Sequence, residues 1–188
     1  MLRSRFHDAT DRVSDFSFRA MTWTFRVADF FFPKHDRLAA FAIRPDSTVV
    51  DYGCGPGRHI AEASRRVGPQ GKVYAVDVHE LAIAAVRKVI DKHNLTNVIP
   101  VLAKGYNSGL PDHVADLIYA LDMFHGVKDP AALLAELRRI VKPSGALILE
   151  DGHQSREKTR VKIAHSSLWR IASEEKTYVT CMLETMFF

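Results

Sequence analysis

A glycine-rich turn is the clearest chemical signal in the sequence. Residues 51–57 read Asp-Tyr-Gly-Cys-Gly-Pro-Gly, directly after a β-branched run and before a predicted helix. Gly53 and Gly55 allow the backbone to turn tightly and to approach a ligand without an intervening Cβ atom. In an open α/β sheet, ligands bind beyond the carboxyl ends of the strands, which is where this turn falls. The pattern therefore predicts a nucleotide-like ligand beside the turn.

An acidic residue at the end of the next predicted strand supports the same interpretation. Asp77 follows Gly57 by 20 residues, and its carboxylate can accept hydrogen bonds from both hydroxyls of a ribose. These elements follow one another in the order that a nucleotide site needs: strand, glycine turn, helix, strand and acid. The alternative is a tight structural turn with a surface Asp77, and it leaves this order unexplained.

A second group of polar residues is predicted just beyond the ends of the fourth and fifth strands. It consists of Asp122, His125, Asp151 and His153. A nucleophile that carries a proton needs a base with a pKa near the working pH. We therefore take His125, His153 and Asp122 as catalytic candidates, although His125 could equally pack or orient a helix. The other histidines are expected at the surface.

The segment from residue 46 onward alternates between predicted strands and predicted helices. Strands are predicted at 48–52, 72–77, 98–102, 116–121 and 146–150, with helices near 58–67, 79–92, 130–141 and 155–166. Residues 142–145 are predicted to form a turn, and 168–172 with 177–183 an antiparallel hairpin. This alternation predicts an α/β fold with a mostly parallel sheet and helices on both faces.

The first 35 residues are predicted to form a helical extension that is rich in aromatic residues. Ser14 is a suitable N-cap and Pro33 ends the run. Two apolar stripes follow helical spacing: one contains Phe16, Ala20, Trp23, Val27 and Phe30, and the other contains Phe18, Met21, Phe25 and Phe32. One stripe can pack on the main domain, which leaves the other for a lid or a partner. We predict a lid at 1–35 and a ligand-binding domain at 36–188.

Four runs together resemble the class I, seven-stranded, Rossmann-like methyltransferases over roughly residues 36–184. They are Val-Val-Asp-Tyr-Gly-Cys-Gly-Pro-Gly at 49–57, Tyr-Ala-Val-Asp at 74–77, 121–130 and 136–145. The last two runs are typical of the small-molecule branch, which includes the ubiquinone/menaquinone-biosynthesis type. The resemblance implies S-adenosylmethionine as the cofactor and S-adenosylhomocysteine as its product.

The resemblance also implies which residues bind the cofactor. Asp51 and the glycine turn would hold the methionine end, and Asp77 the ribose. The full set of candidates is Asp51, Gly53, Cys54, Gly55, Asp77, Val78, Ala103, Lys104 and Leu121. The chain lacks the acid that this branch often carries after strand three. Adenine would then be held by the backbone of Ala103 and Lys104, or by a side chain such as Asn107.

Composition excludes several other classes of protein. The 188 residues are 47% hydrophobic and 26% charged, which suits a globular chain that can bury a core as one domain. Two cysteines are too few for a disulfide framework or a four-ligand zinc site, so no metal site is predicted. The sequence shows no membrane-spanning run and no signal-peptide core, which leads us to expect a cytoplasmic protein.

A small and apolar, or lipid-like, metabolite is the predicted methyl acceptor. The net charge of +4 is spread along the chain, and residues 121–124 are not the Asn-Pro-Pro-Tyr type that acts on planar amino groups. Both features argue against a nucleic-acid substrate. Two alternatives stay open: a nicotinamide-dependent oxidoreductase, and a non-catalytic cofactor-binding subunit for protein interaction. The first is weakened because the third glycine comes one residue early and Asp51 would repel a pyrophosphate.

Overall fold

A computed structural model describes residues 11–31 and 37–184. Within these ranges the strands are β1 (Thr48–Tyr52), β2 (Lys72–Asp77), β3 (Val98–Leu102), β4 (Ala115–Ala120), β5 (Val141–Glu150), β6 (Trp169–Glu174) and β7 (Tyr178–Leu183). The α-helices are α1 (Asp15–Phe31), α2 (Ile60–Val67), α3 (Glu80–His93), α4 (Pro130–Ile140) and α5 (Arg156–Ser166). Short 3-10 turns span Arg37–Ala40 and Phe124–Gly126.

The strands form one seven-stranded sheet in the order β3-β2-β1-β4-β5-β7-β6. Strands β1 to β5 pair in parallel, and β7 is antiparallel to both β5 and β6. The predicted fold class and terminal hairpin are confirmed. Strand order reverses direction between β1 and β4, which places the glycine turn after β1 at the switch point where such sheets bind ligands.

Helices cover both faces of the sheet, as predicted. Alternate residues of each central strand point to opposite faces, so that Val49 and Val50 belong to two different core clusters. Leucines of α4 and Ile163 of α5 bury one face. Apolar residues of α2 and Val86 of α3 bury the other face. These two layers leave the carboxyl ends of the strands open for a site.

The turn predicted at 142–145 is wrong, because these residues are part of β5. Ala115 pairs with Val141 and Leu117 with Ala146, so the extra residues of β5 between them bulge out of the ladder. A Cβ atom on Gly145 would lie 2.9 Å from the carbonyl oxygen of Ala115, so only glycine fits here. Proline and glycine occur in bulges as well as in turns, so the sequence pattern does not distinguish a bulge from a turn.

Helix α1 begins after Ser14, whose hydroxyl accepts a hydrogen bond from the Ser17 N–H at 3.1 Å, as predicted for an N-cap. Its two apolar stripes differ in burial: Phe18 is 5% exposed, whereas Phe16 and Trp23 are 82% and 66% exposed. Phe30, Phe32 and the predicted boundary at residue 35 lie outside the described side chains. Across the described residues, every helix is too short or too polar to cross a membrane.

Candidate active site

The glycine turn follows directly from the end of β1. The N–H groups of Gly53 and Cys54 both donate to the carbonyl oxygen of Val76, at 2.8 and 3.0 Å, which folds the turn against β2. Gly53 has a φ of 76°, and a Cβ atom there would lie 2.9 Å from Met123 Cγ. The turn therefore requires glycine both for its backbone conformation and for the space beside Met123.

Asp51 carries a buried carboxylate at the start of this turn. The residue is 3% exposed, and its Oδ2 atom has no hydrogen-bond partner among the described residues. Burial raises the pKa of Asp51 to about 7; the charge of Asp77 adds to this shift and the Tyr119 hydroxyl opposes it. A cationic group placed here would restore the charged carboxylate. The α-ammonium group of S-adenosylmethionine is such a cation, so this part of the site fits the implied cofactor.

Asp77 braces the turn from the end of β2. Its Oδ2 atom accepts a hydrogen bond from the Gly55 N–H, and its Oδ1 atom accepts one from the His79 N–H, each at 2.9 Å. Burial raises the pKa of Asp77, and these hydrogen bonds act in the opposite direction. Each carboxylate oxygen keeps further acceptor capacity. The carboxylate can therefore orient the turn and accept ribose hydroxyls at the same time.

Two neighbouring cavities contain most of the predicted cofactor residues. Gly53 and Gly55 line both of them. A cavity of about 310 Å³, termed the main cavity, is also lined by Asp77, Val78 and Ala103. A smaller cavity of about 80 Å³ is lined by Asp51, Cys54 and Leu121. Eight of the nine candidates therefore line two adjacent cavities beyond β1, β2 and β4.

Lys104 lies outside both cavities. Its N–H donates to the Asn107 carbonyl oxygen at 2.9 Å, and the Ala103 N–H donates to the Asp77 carbonyl oxygen at 2.9 Å. The Asn107 side chain accepts from the Gly109 N–H. The backbone donors that were expected to hold adenine are thus already used within the chain. Ala103 contributes to the main cavity as part of its wall.

The catalytic candidates are brought together, although they come from two separate loops. Asp122 Oδ1 lies 3.9 Å from His125 Nδ1 and 3.9 Å from His153 Nε2. The two imidazole rings meet edge to face with centroids 4.9 Å apart. We call these three residues the strand-end cluster. Asp122 and His125 also line the main cavity, whereas Asp151 is held in an ion pair with Arg156 at 2.8 Å.

Buried polar contacts hold the strand-end cluster in place. The Asp122 N–H donates to Glu150 Oε2 at 2.9 Å, and Glu150 is in turn paired with Arg37. Asp122 adopts a φ of 52°, in the left-handed region that aspartate occupies more readily than most L-residues. The Lys162 ammonium donates to the Phe124 and His125 carbonyl oxygens at 2.8 and 3.3 Å. Strands β4 and β5 and helix α5 thus jointly position the cluster.

Helix α1 and the residues before it cover the main cavity. Phe18 and Met21 line it, and the Phe18 ring lies 4.5 Å from the His79 ring. The Tyr106 hydroxyl donates to Asp11 Oδ2 at 2.5 Å, and Arg12 forms an ion pair with Glu80 at 3.0 Å. Sequence reasoning missed these contacts because each joins segments far apart in the chain.

His79 corrects the expectation that the remaining histidines lie at the surface. It is 2% exposed, and its Nδ1 atom accepts a hydrogen bond from the Leu81 N–H at 3.1 Å as the N-cap of α3. Its position just before a predicted helix was the one signal available in the sequence. Its burial beneath Phe18 could not be read from local pattern.

Solved structures define the class of this fold. A crystal structure of a SAM-dependent methyltransferase from Aquifex aeolicus matches with a TM-score of 0.78 at 22% identity, covering 92% of this chain and 100% of that one. The common fold is that of the class I, seven-stranded S-adenosylmethionine-dependent methyltransferases. The family described as "Methyltransferase domain" matches residues 50–149, more than half of the 188 residues, and the chain belongs to it.

Curated relatives point to more than one kind of substrate. The ubiquinone/menaquinone biosynthesis C-methyltransferase UbiE of Shewanella frigidimarina is 31% identical over 119 residues, covering 63% of this chain and 47% of that protein. The catalytic subunit TRM61 of a Yarrowia lipolytica tRNA (adenine(58)-N(1))-methyltransferase is 33% identical over 102 residues, covering 54% and 26%. The matches thus span a quarter to a half of these relatives. The predicted family and cofactor are confirmed, and the nicotinamide alternative is not supported.

Proposed function

We propose that this chain transfers a methyl group from S-adenosylmethionine to a small, largely apolar acceptor by in-line displacement. The observation that carries the proposal is the main cavity itself. The cofactor candidates Gly53, Gly55 and Asp77 line it together with the catalytic candidates Asp122 and His125. A donor and an acceptor that meet at this cavity fulfil the requirement for alignment of the reacting atoms.

The cofactor half of the proposal assigns a task to each polar or glycine residue of the turn and to Asp77. Asp51 binds the ammonium of the methionine end, Asp77 accepts the ribose hydroxyls, and the glycines admit the cofactor close to the backbone. When bound, the cofactor supplies an electrophilic methyl group on a positively charged sulfur. Low polarity around that sulfur favours transfer, because its charge is lost in the transition state.

The acceptor half rests on the apolar wall of the main cavity. Phe18, Met21, Val78, Met123 and Val127 line this space. Such a wall favours an acceptor with an apolar body, and Asp122 and His125 supply the polar groups that orient its nucleophilic atom. A histidine at this position can also accept a proton from the acceptor.

Helix α1 acts as a lid in this proposal. A cavity of about 310 Å³ lies at the lower end of the range for ligand pockets, roughly 300–1,000 Å³. Cofactor and acceptor together need more room, so the segment that carries Phe18 and Met21 must move for both to enter. The hydrogen bond to Tyr106 and the ion pair with Glu80 that hold this segment lie near the surface. Both can form again after the cofactor and the acceptor have entered.

Methyl-labelled S-adenosylmethionine tests the proposal directly. The purified chain is incubated with separated metabolite, lipid, RNA and protein fractions of a cell extract, and label and S-adenosylhomocysteine are measured in each. We expect label in the apolar metabolite or lipid fraction, with transfer lost in Asp51→Asn. Label confined to RNA would overturn the assignment of the acceptor. Cofactor binding without transfer to any fraction would instead support the non-catalytic binding subunit.

A truncation separates the lid from the cofactor site. A chain that lacks residues 1–32 should still bind S-adenosylhomocysteine measurably by calorimetry, because Asp51, Asp77 and the glycine turn remain. It should lose methyl transfer, because the acceptor space loses the wall formed by Phe18 and Met21. Unchanged transfer by the truncated chain would show that α1 is only a packing element.

A further inference from the structure

We propose that the strand-end cluster, Asp122, His125 and His153, binds a divalent transition-metal ion that holds the nucleophilic atom of the acceptor. The inference rests on the proposed function for the identity of that acceptor, but not for the ion. The three residues offer two imidazole nitrogens and one carboxylate oxygen, which all lie within 4.8 Å of one another. Imidazole and carboxylate ligands together suit ions such as Zn²⁺, Fe²⁺ and Co²⁺.

The distances are close to those of a formed site. Around a tetrahedral ion with bonds of about 2.0–2.1 Å, neighbouring ligand atoms lie about 3.4 Å apart. The two pairs that Asp122 makes here are each 3.9 Å long, so they must shorten by about half an ångström, and the two imidazole nitrogens, which lie within 4.8 Å of each other, must also approach. His153 is 83% exposed and Asp122 39% exposed at the side chain, so both can adjust by rotation about their own bonds.

His125 provides the second observation that points to a ligand. Its Nδ1 atom faces Asp122, is shielded from solvent, and has no hydrogen-bond partner among the described residues. Buried polar atoms are nearly always partnered, so an unpartnered imidazole nitrogen beside a carboxylate calls for an explanation. A metal ion between His125 and Asp122 supplies the missing partner, and no hydrogen bond has to be broken.

The surrounding backbone is built to bring the two loops together. Gly152 adopts a φ of 60°, and a Cβ atom there would lie 2.3 Å from His125 Nδ1. Only glycine therefore allows the loop after β5 to pass beside the His125 ring and to place His153 next to it. The hydrogen bonds from Lys162 fix the carbonyl of His125 on the other side.

Three protein ligands leave one coordination position open, as in catalytic metal sites. Asp122 and His125 border the main cavity, so the open position is available to an acceptor hydroxyl or thiol. On coordination the acceptor loses its proton to water, because the ion lowers the pKa of a bound O–H or S–H group. Its lone pair then forms the bond to the methyl carbon as the bond from that carbon to sulfur breaks, which leaves S-adenosylhomocysteine.

Metal binding by the untagged chain tests the site without any methyl transfer. Zn²⁺ is titrated by calorimetry, and Co²⁺ is followed by its visible absorption. We expect one ion per chain, with affinity reduced in His153→Ala and Asp122→Asn by more than the roughly 10- to 100-fold that loss of an outer-shell partner causes. His165→Ala is the matched control, since His165 is exposed near the end of α5 and should leave the affinity unchanged.

A pair of glycine variants tests the same site without altering a ligand. Gly152→Ala should displace His125 and weaken Co²⁺ binding. Gly109→Ala is the control, because Gly109 has a similar φ of 70° but nothing within 4 Å of an added Cβ atom. S-adenosylhomocysteine binding should persist in both variants and would show that they fold.

The results separate this inference from the proposed function. Equal Zn²⁺ binding by the natural chain and His153→Ala would overturn the metal site, and so would the absence of binding. Methyl transfer at full rate after chelation would overturn the role given to the ion while leaving the proposed function intact. Metal binding without methyl transfer to any extract fraction would leave the metal site intact and overturn the proposed function.

Discussion

At the scale of single residues, Asp51 is the group whose charge state matters most. Its pKa of about 7 in the folded chain lies far above the ordinary value of 3.8, because the carboxylate is buried and its Oδ2 atom has no hydrogen-bond partner among the described residues. Between these two values the folded chain binds more protons than the unfolded chain. The free energy of unfolding therefore falls as the pH rises through this window, until a cation arrives to pair with the carboxylate.

We predict that Asp51→Asn removes this pH dependence. In the natural chain without cofactor, the free energy of unfolding measured with urea should decline from about pH 4 to pH 7, and in the variant it should be flatter. S-adenosylhomocysteine binding to the natural chain should weaken about tenfold per pH unit below pH 7, since Asp51 must lose its proton to pair with the ammonium. Identical slopes in both proteins would exclude Asp51 as the titrating group.

Residues differ in how far the sequence alone reveals them. Gly53 and Asp77 were predictable from the local sequence. The tight turn requires a glycine at position 53, and Asp77 lies at the end of a recognisable strand. The placement of His125 and His153 near each other was also predictable, because they follow the fourth and fifth strands, but their direct ring contact was not, since it depends on Gly152 having no side chain. No metal site was predicted, because the three proposed ligands show no characteristic spacing in the sequence.

At the scale of elements, helix α1 offers an internal comparison between its two faces. Phe18, 5% exposed, contacts His79 and the main cavity, whereas Phe16 is 82% exposed. Phe18→Ala should weaken S-adenosylhomocysteine binding and make α1 more sensitive to protease, because a large buried ring is lost. Phe16→Ala should leave both properties unchanged. Equal behaviour of the two variants would show that α1 does not close over the site.

The bulge in β5 allows a prediction about stability rather than binding. A Cβ atom on Gly145 would lie within 3.0 Å of the Ala115 and Asp116 carbonyl oxygens, and backbone of a central strand cannot move aside easily. Gly145→Ala should lower the free energy of unfolding by about 1–3 kcal/mol, as overpacking does elsewhere. Gly126→Ala is the control, with nothing within 4 Å of the added atom. Urea unfolding of both variants gives the comparison.

Among the elements, the predicted order of strands and helices was largely correct, and their ends were set by recognisable residues. Asp129 caps α4 and accepts the Ala132 N–H at 3.0 Å, which its place before Pro130 had indicated. The bulge at 142–145 was taken for a turn, since both use proline and glycine. The contacts of helix α1 and of the residues before it could not be predicted, because no local sequence pattern indicates which distant segments meet.

At the scale of the whole molecule, ligand binding should appear as added thermal stability. S-adenosylhomocysteine at a hundred times its Kd should contribute about 2.7 kcal/mol, which corresponds to a rise in Tm of roughly 5–11 °C for a chain of this size. NAD at the same concentration should leave the Tm unchanged, because the site lacks a pyrophosphate-binding fingerprint. A larger shift with NAD than with S-adenosylhomocysteine would contradict the assigned cofactor.

The buried carboxylate of Asp51 also bears on how long the protein survives in a cell. The folded chain without cofactor carries a buried group that stabilises it less and less as the pH approaches neutrality, and the bound ammonium removes that cost. Proteases that capture unfolded chains therefore remove the unliganded form first. We therefore expect the abundance of this protein in a cell to rise with the supply of methyl donor.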